Sequence, residues 1–521
     1  MNGARMQTNI LDYLEHGALR CCPGKVAIVD GDQQLTFAEL AIRAKRCAVR
    51  LVELADVLNL PVAVFLPKSA EVIIADLGIA YSGNVYMNLD IKLPAQRLRN
   101  ILDNIGSLLF ITSRRLMPQA EAAGVDPEKI LFIEDLAASP GDGSPDFDEV
   151  ALASRRARMI DTDPLCLINT SGSTGTPKAV ALSHRGSIDF MDWVFNTFAF
   201  DETTIIGSLS PFYFDIYTLE LNACLAKGAT LVIIPESLAI FPTKLIAFLA
   251  EHAVSFLFWV PSIMVHIAKL GLLEAVPLPR LRTVFFAGEV FPTRHLNLWR
   301  RALPDTMFVN LYGPIEIHVD CTYFIVNRAF SDDEPLPIGI PCRNTDILIL
   351  DENDAPCEDG QMGELCVRGT SLALGYWNDP EKTERAFVQN PLNRRYPELI
   401  YRTGDLAVRH SNGVIYLSGR KDFQIKHMGY RIELSEIEHH VIGVPGITNA
   451  CVLYNAAKKE ITLFYEVEFA PVEPVTIRKH LAKMLPSYML PTAFHSLSEL
   501  PRNSNGKIDR NGLLLSIPKC P

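Results

Sequence analysis

One stretch constrains this chain more than any other: Leu167-Ile-Asn-Thr-Ser-Gly-Ser-Thr-Gly-Thr-Pro-Lys-Ala-Val-Ala-Leu-Ser-His184. An apolar run from Leu165 to Ile168 predicts a buried strand ending in a loop dense with hydroxyls and glycines. A second apolar strand is expected from Ala179 to Leu182, just after Lys178. Gly172 and Gly175 let backbone N–H groups turn toward one point, and Thr170, Ser171, Ser173, Thr174 and Thr176 add hydroxyls. With the charge of Lys178, that is a cradle for a polyphosphate. It is not the P-loop of nucleotide hydrolases, because two residues separate the glycines and Pro177 precedes the lysine. Taken alone, the stretch could equally be a polar surface hairpin.

The 521 residues leave room for two to four domains with large buried cores. Acids outnumber Lys and Arg by 60 to 49, a net charge of −11, which argues against general nucleic-acid binding. No apolar run is long enough to predict a membrane span, and Met1–Asn9 shows no basic-then-apolar leader. Eleven cysteines without CxxC pairing predict free thiols and a cytoplasmic setting.

Strand-like and helical runs alternate through the first part of the chain: Val26 to Val29, Thr36 to Glu53, Val62 to Phe65, Ala70 to Tyr81. Thr36 with Glu39 reads as a capping box. Further strands are expected at Ile205 to Ser210, Thr230 to Ile234, Phe256 to Val260 and Thr283 to Phe286. The pattern is that of a doubly wound or layered α/β sheet. Residues 341–420 change character, with short strands broken by Gly, Asp and Asn that suit an antiparallel sheet or distorted barrel. After Gly419-Arg-Lys-Asp422 a small α/β unit of about 100 residues begins.

Six more stretches follow the first in order. They are Asn310-Leu-Tyr-Gly-Pro-Ile-Glu316; Gly363-Glu-Leu-Cys-Val-Arg-Gly369 with Gly375-Tyr-Trp377; Tyr401-Arg-Thr-Gly-Asp405; Gly419-Arg-Lys-Asp-Phe-Gln-Ile-Lys-His-Met-Gly-Tyr-Arg-Ile-Glu433; Leu485-Pro-Ser-Tyr-Met-Leu-Pro491; and Asn505-Gly-Lys-Ile-Asp-Arg510. Singly, Glu316 would read as a solvated acid, Asp405 as a turn former and Lys507 as a surface lysine. Together they resemble the adenylate-forming enzymes: acyl-CoA synthetases, luciferases and the adenylation domains of nonribosomal peptide synthesis.

The resemblance implies an α/β fold in two parts. Residues 1–421 would be a large N-terminal domain of layered α/β subdomains plus a distorted β-barrel, and 422–521 a small mobile α+β domain. It implies ATP and Mg²⁺ and two half-reactions: a carboxylate attacks the α-phosphate of ATP, then a thiol displaces AMP. The loop from Thr170 through Ser171, Gly172, Ser173, Thr174 and Gly175 to Lys178 would hold the phosphates, and Glu316 the metal. Tyr312 and Asn310 would meet adenine, Asp405 the ribose with Arg420 close by, and Lys507 would bridge substrate carboxylate and α-phosphate. Asp422 would be the hinge that swings Lys507 out and brings Lys426 to Gly429 in. Ile315 stands where the family usually has Thr, removing one donor.

Pro211-Phe-Tyr-Phe-Asp215 resembles the segment in which amino-acid-activating members carry an acid for the α-ammonium. Carrying the pocket across gives Asp215, Ile216, Leu219, Trp259, Phe285, Ala287, Leu311, Val319, Asp320 and Lys507. The walls are bulky and apolar, so the cavity is expected to be small. That set resembles the prolyl-carrier-protein ligases, with alanyl-carrier-protein ligases and acyl- or aryl-CoA ligases as alternatives. Asp320 departs from the prolyl pattern and would meet a second N–H, a hydroxyl or a basic side chain. The sequence ends eleven residues after Arg510 without a carrier domain, so a separate carrier protein with a phosphopantetheine arm is the expected partner.

Overall fold

The computed structural model describes residues 7–107, 109–136, 147–172, 177–456, 458–467, 472–502 and 508–516. The expected hairpin around the loop is present: Pro164–Thr170 pairs antiparallel with Lys178–Ser183, Thr170 opposite Lys178. Ser173, Thr174, Gly175 and Lys507 lie outside the described residues.

Two large sheets form the body of the chain. In one, strands Val26–Asp30, Thr230–Ile233, Ile205–Ser208, Phe256–Trp259, Thr283–Phe286 and Met307–Tyr312 run parallel, with antiparallel strands at both edges. In the other, Pro61–Phe65 pairs in parallel with Val85–Asn88 and Leu109–Thr112, and the loop hairpin continues it. Helix Ala70–Tyr81 touches strands of both sheets and is buried at every position except Glu71. Its all-round apolar sequence fits that place, since only a helix shielded on every face can lack a polar stripe. The capping box is formed: Glu39 N–H donates to Thr36 Oγ1, and Thr36 N–H to Glu39 Oε2.

The distorted-barrel region takes the form of a five-stranded antiparallel sheet built from Thr345–Leu350, Met362–Gly369, Leu399–Arg409, Phe387–Gln389 and Ile415–Arg420. Beyond it, residues 425–494 bury a core of their own around Ile437, Val452, Leu463 and Ile477. The hairpin Gln424–His427 with Tyr430–Glu433 leads from that core back to the large sheets.

Candidate active site

In parallel sheets, ligands bind in the crevice beyond the carboxyl ends of the strands, where helices and loops diverge. Here both sheets direct those ends at one place. Val260, Ala287, Gly288 and Gly313 follow strands of the first sheet, and Asn88 and Thr170 end strands of the second. All six line one cavity of about 160 Å³.

The hairpin side of the cavity is lined by Thr170 and Ser171, each 7% exposed, with Gly172 and Lys178 beside them. The described donors there are engaged by residues 431–436. Ser171 Oγ donates to the Arg431 carbonyl (2.8 Å) and accepts from Glu433 N–H (3.0 Å). Gly172 N–H donates to Glu436 Oε2 (3.2 Å), and Lys178 Nζ lies 3.8 Å from Glu433 Oε1. Glu436 in turn is bound by Arg97 (2.6 Å). Burial holds the Lys178 ammonium below its usual range, with the Arg431 charge adding to the effect.

Glu316 is fully buried between two donors. Tyr376 Oη donates to its Oε1 (2.8 Å) and Arg431 Nη1 to its Oε2 (2.6 Å). Burial opposes its ionisation most strongly, but the Arg431 charge, the Tyr376 hydrogen bond, a backbone N–H and the Lys178 charge together outweigh it and hold the carboxyl below the ordinary range. A hard cation takes several oxygen ligands. In this arrangement both Glu316 oxygens are committed and a guanidinium already neutralises them. Among the described residues no cluster of three or more His, Cys, Asp or Glu is placed to hold a metal. These residues do not fit Mg²⁺ as they stand.

Asp405 lines the cavity, with Oδ1 accepting from Arg420 (2.6 Å) and Oδ2 from Tyr312 Oη (2.5 Å). The ammonium of Lys426 sits 5.6 Å from the centre of the Tyr312 ring. Asn310 is not part of the cavity lining and donates to the Pro337 carbonyl (2.8 Å). Asp422 accepts from Arg420 through both oxygens, at 2.6 and 2.8 Å.

The other end of the cavity is lined by Asp215, Ile216, Phe258, Val260, Ala287, Val319 and Asp320. Asp215 precedes helix Ile216–Lys227 but makes no side-chain capping bond, and its open surface faces the cavity. Burial pushes its carboxyl up to about 7. Asp320 is 2% exposed, and among the described residues its Oδ2 has no hydrogen-bond partner. Burial, with the field of Asp215, raises it well above the carboxylate range.

Trp259 is a correction. Side chains alternate along a strand, and Phe256–Trp259 places Phe258 toward the cavity and Trp259 in the core on the opposite face, among neighbours such as Met264 and Trp299. The expected position is one residue off. Leu219, Phe285 and Leu311 share the core of the cavity face but are not among its lining, so they form the layer behind it.

His318 and Val319 both have positive φ, 50° and 45°. For a β-branched residue this is strained backbone that the surroundings must enforce. The His318 ring does so, held 3.0 Å from the carbonyls of both Ser371 and Ser183. The backbone turn carries Val319 and Asp320 to the cavity. It passes so close to Gly313 that a Cβ there would stand 2.4 Å from Asp320 Cα. The hairpin's Gly429 (φ 83°) lies less tightly against Val260, where a Cβ would stand 3.1 Å from Cγ1, and its N–H donates to Glu289 Oε1 (2.8 Å).

Sequence reasoning missed Arg431, Glu436, Arg97, Phe258 and His318. Glu433 and Arg431 lie inside the Gly419–Glu433 stretch, whose residues are visible in the sequence while their partners are not. Phe258 could have been found from the two-residue strand period.

The chain is 33% identical over 496 residues to tyrocidine synthase 3 of Brevibacillus parabrevis, which covers 94% of this chain but 7% of that protein's length. It is 30% identical over 524 residues to zwittermicin A synthase ZmaJ of Bacillus cereus, covering 98% of this chain and 95% of that one. Among solved structures, holo-PA1221, an NRPS protein containing adenylation and PCP domains, shares the fold with a TM-score of 0.81 at 24% identity, covering 99% of this chain and 85% of that one. Residues 14–377, which contain the hairpin loop, both acids of the cavity's apolar end and Glu316, match the family described as AMP-binding enzyme, and the chain belongs to that family.

Proposed function

We propose that this chain activates an amino acid as its aminoacyl adenylate and passes the aminoacyl group to the phosphopantetheine thiol of a carrier protein. In the first half-reaction a substrate carboxylate oxygen bonds to the α-phosphorus of ATP and pyrophosphate leaves. In the second, the thiol sulfur bonds to the acyl carbon, its proton is lost, and AMP leaves with the electrons of the broken C–O bond. The observation that carries the reading is Asp215, an acid at the apolar end of a cavity whose other end is the hydroxyl-lined hairpin. A carboxylate held largely out of water on a cavity wall calls for a cationic partner, and an α-ammonium supplies one.

In this reading the 170–178 loop and Lys178 meet the phosphates, Asp405 with Arg420 the ribose, Tyr312 the base, and Lys507 the reacting oxygens. The chain divides at Asp422 into residues 1–421 and a moving unit, 422–521. Magnesium would come with the nucleotide, and Glu316 is open to it only once Arg431 withdraws. The relatives named as synthases of tyrocidine and zwittermicin A support a larger product, and so a thiol that accepts the aminoacyl group and holds it for a further step. A protein of the same fold that joins adenylation and PCP domains is compatible with such a hand-over. Proline suits the apolar walls but brings a single ammonium to a pocket with two acids.

The test is ATP–pyrophosphate exchange across all amino acids and a set of simple aliphatic and aryl acids. Exchange with amino acids alone is expected. Strong exchange with aliphatic or aryl acids and none with amino acids would point instead to a CoA ligase.

A further inference from the structure

One ammonium accounts for one acid, and the amino-acid end of the cavity has two. Asp215 comes from the turn before helix Ile216–Lys227, and Asp320 from the strained turn after Ile317. Both line the same cavity, and Asp320 has a buried oxygen without a partner among the described residues. The neighbouring walls, Ile216, Phe258, Ala287 and Val319, have no side-chain donor to offer it. Lys426 is the cation whose field reaches both acids, and it also faces Asp405. Asp405 in turn is held by Arg420. The two acids of this end therefore share one lysine that Asp405 also draws on, and neither has a cation to itself until a ligand brings one.

We propose that the substrate is a short diamino acid, its α-ammonium on Asp215 and its side-chain ammonium on Asp320. This rests on the amino-acid reading above. A hydroxyl would give Asp320 a hydrogen bond but would leave the mutual repulsion of the two acids in place. A monoamino acid would leave Asp320 Oδ2 orphaned, a cost that a buried site levies on every ligand lacking the matching group. The side chain must be short, because Phe258 lines the cavity and Leu219, Phe285 and Leu311 back it.

The experiment is pyrophosphate exchange by the full chain with racemic 2,3-diaminopropionate and 2,4-diaminobutyrate, each against its equal-length monoamino counterpart, alanine and 2-aminobutyrate. The diamino member of at least one pair should have kcat/KM roughly a hundredfold higher, the scale of one buried charge pair. Asp320→Asn should bring that ratio to about one, with thermal unfolding checked to show the variant is folded. Should Asp320→Asn not fold, protection of the unchanged chain against thermal unfolding by each amino acid gives the same ranking. Monoamino acids equalling or beating their partners, serine exceeding all of them, or an unchanged ratio in Asp320→Asn would overturn the diamino assignment alone. No exchange with any amino acid, alongside exchange with simple acids, would overturn the amino-acid reading beneath it.

Discussion

The two ends of the cavity are satisfied in opposite ways. At the phosphate end, Gly172 N–H meets Glu436, Lys178 meets Glu433, and Glu316 meets Arg431. Carboxylates stand against the loop where phosphate was expected, and a guanidinium stands where a metal was expected. At the amino-acid end, Asp215 makes no capping bond and Asp320 Oδ2 has no partner among the described residues. In the proposed reading, residues 431–436 stand in for a polyphosphate and its cation, because they offer both charges on one hairpin and helix start. At the other end, the cation that reaches both acids is Lys426, which Asp405 also draws on. In the proposed reading, nucleotide competes with the protein's own groups, whereas the amino acid enters a pocket whose acids complement its ammonium.

The largest effect should come from the open end. Asp215→Asn should lower kcat/KM for amino-acid-dependent exchange by roughly a hundredfold or more, as expected when one member of a buried charge pair is removed. The same acid sets a pH dependence. Its carboxyl, at about 7 in the empty pocket, must be ionised to hold an ammonium. Below pH 7 the amino-acid KM should thus rise by up to about tenfold per unit, since each unit lowers the ionised fraction of the free site about tenfold. A flat profile down to pH 5 would break the contrast between the ends.

At the closed end, Arg431→Ala should separate the half-reactions. Removing a hydrogen bond to a charged group is worth about 1.5–3 kcal/mol, so transfer to thiol should fall at least tenfold while exchange holds or improves. Asp422→Pro should slow the same half-reaction through the backbone. Equal damage to both halves in single-turnover assays would show that residues 431–436 do not act as a removable substitute. The smallest effect is expected at Ile315, which lines the cavity between the two ends. Ile315→Thr should change exchange by no more than about fivefold, the worth of one added neutral hydrogen bond of about 1 kcal/mol.

Much of the architecture could be read directly. The apolar runs at Val62 to Phe65, Thr230 to Ile234 and Thr283 to Phe286 became strands because their patterns had the right length and turn residues at their ends. Asp215, Asp320, Asp405 and Ser171 were identified one by one from motifs, and the fold gathers them along one cavity. Trp259 failed because a one-residue shift moves a strand side chain to the opposite face. Arg431 and Glu436 were missed for another reason. Their partners Glu316 and Gly172 lie 115 and 264 residues away, and no local pattern encodes such a pairing.

By itself, the sequence determined which chemical groups this protein has: a hydroxyl-rich hairpin, two acids in an apolar setting, and a basic and acidic hairpin near the C-terminus. Periodicity and turn chemistry act over a few residues, so they could also place the strands that carry those groups. Only the tertiary structure decided which groups face one another. That choice depends on two sheets sharing a buried helix and on a strained turn at His318 and Val319, held by carbonyls from distant segments. Burial then does the rest, because charges that water would screen must find partners within a few ångströms or wait for a ligand.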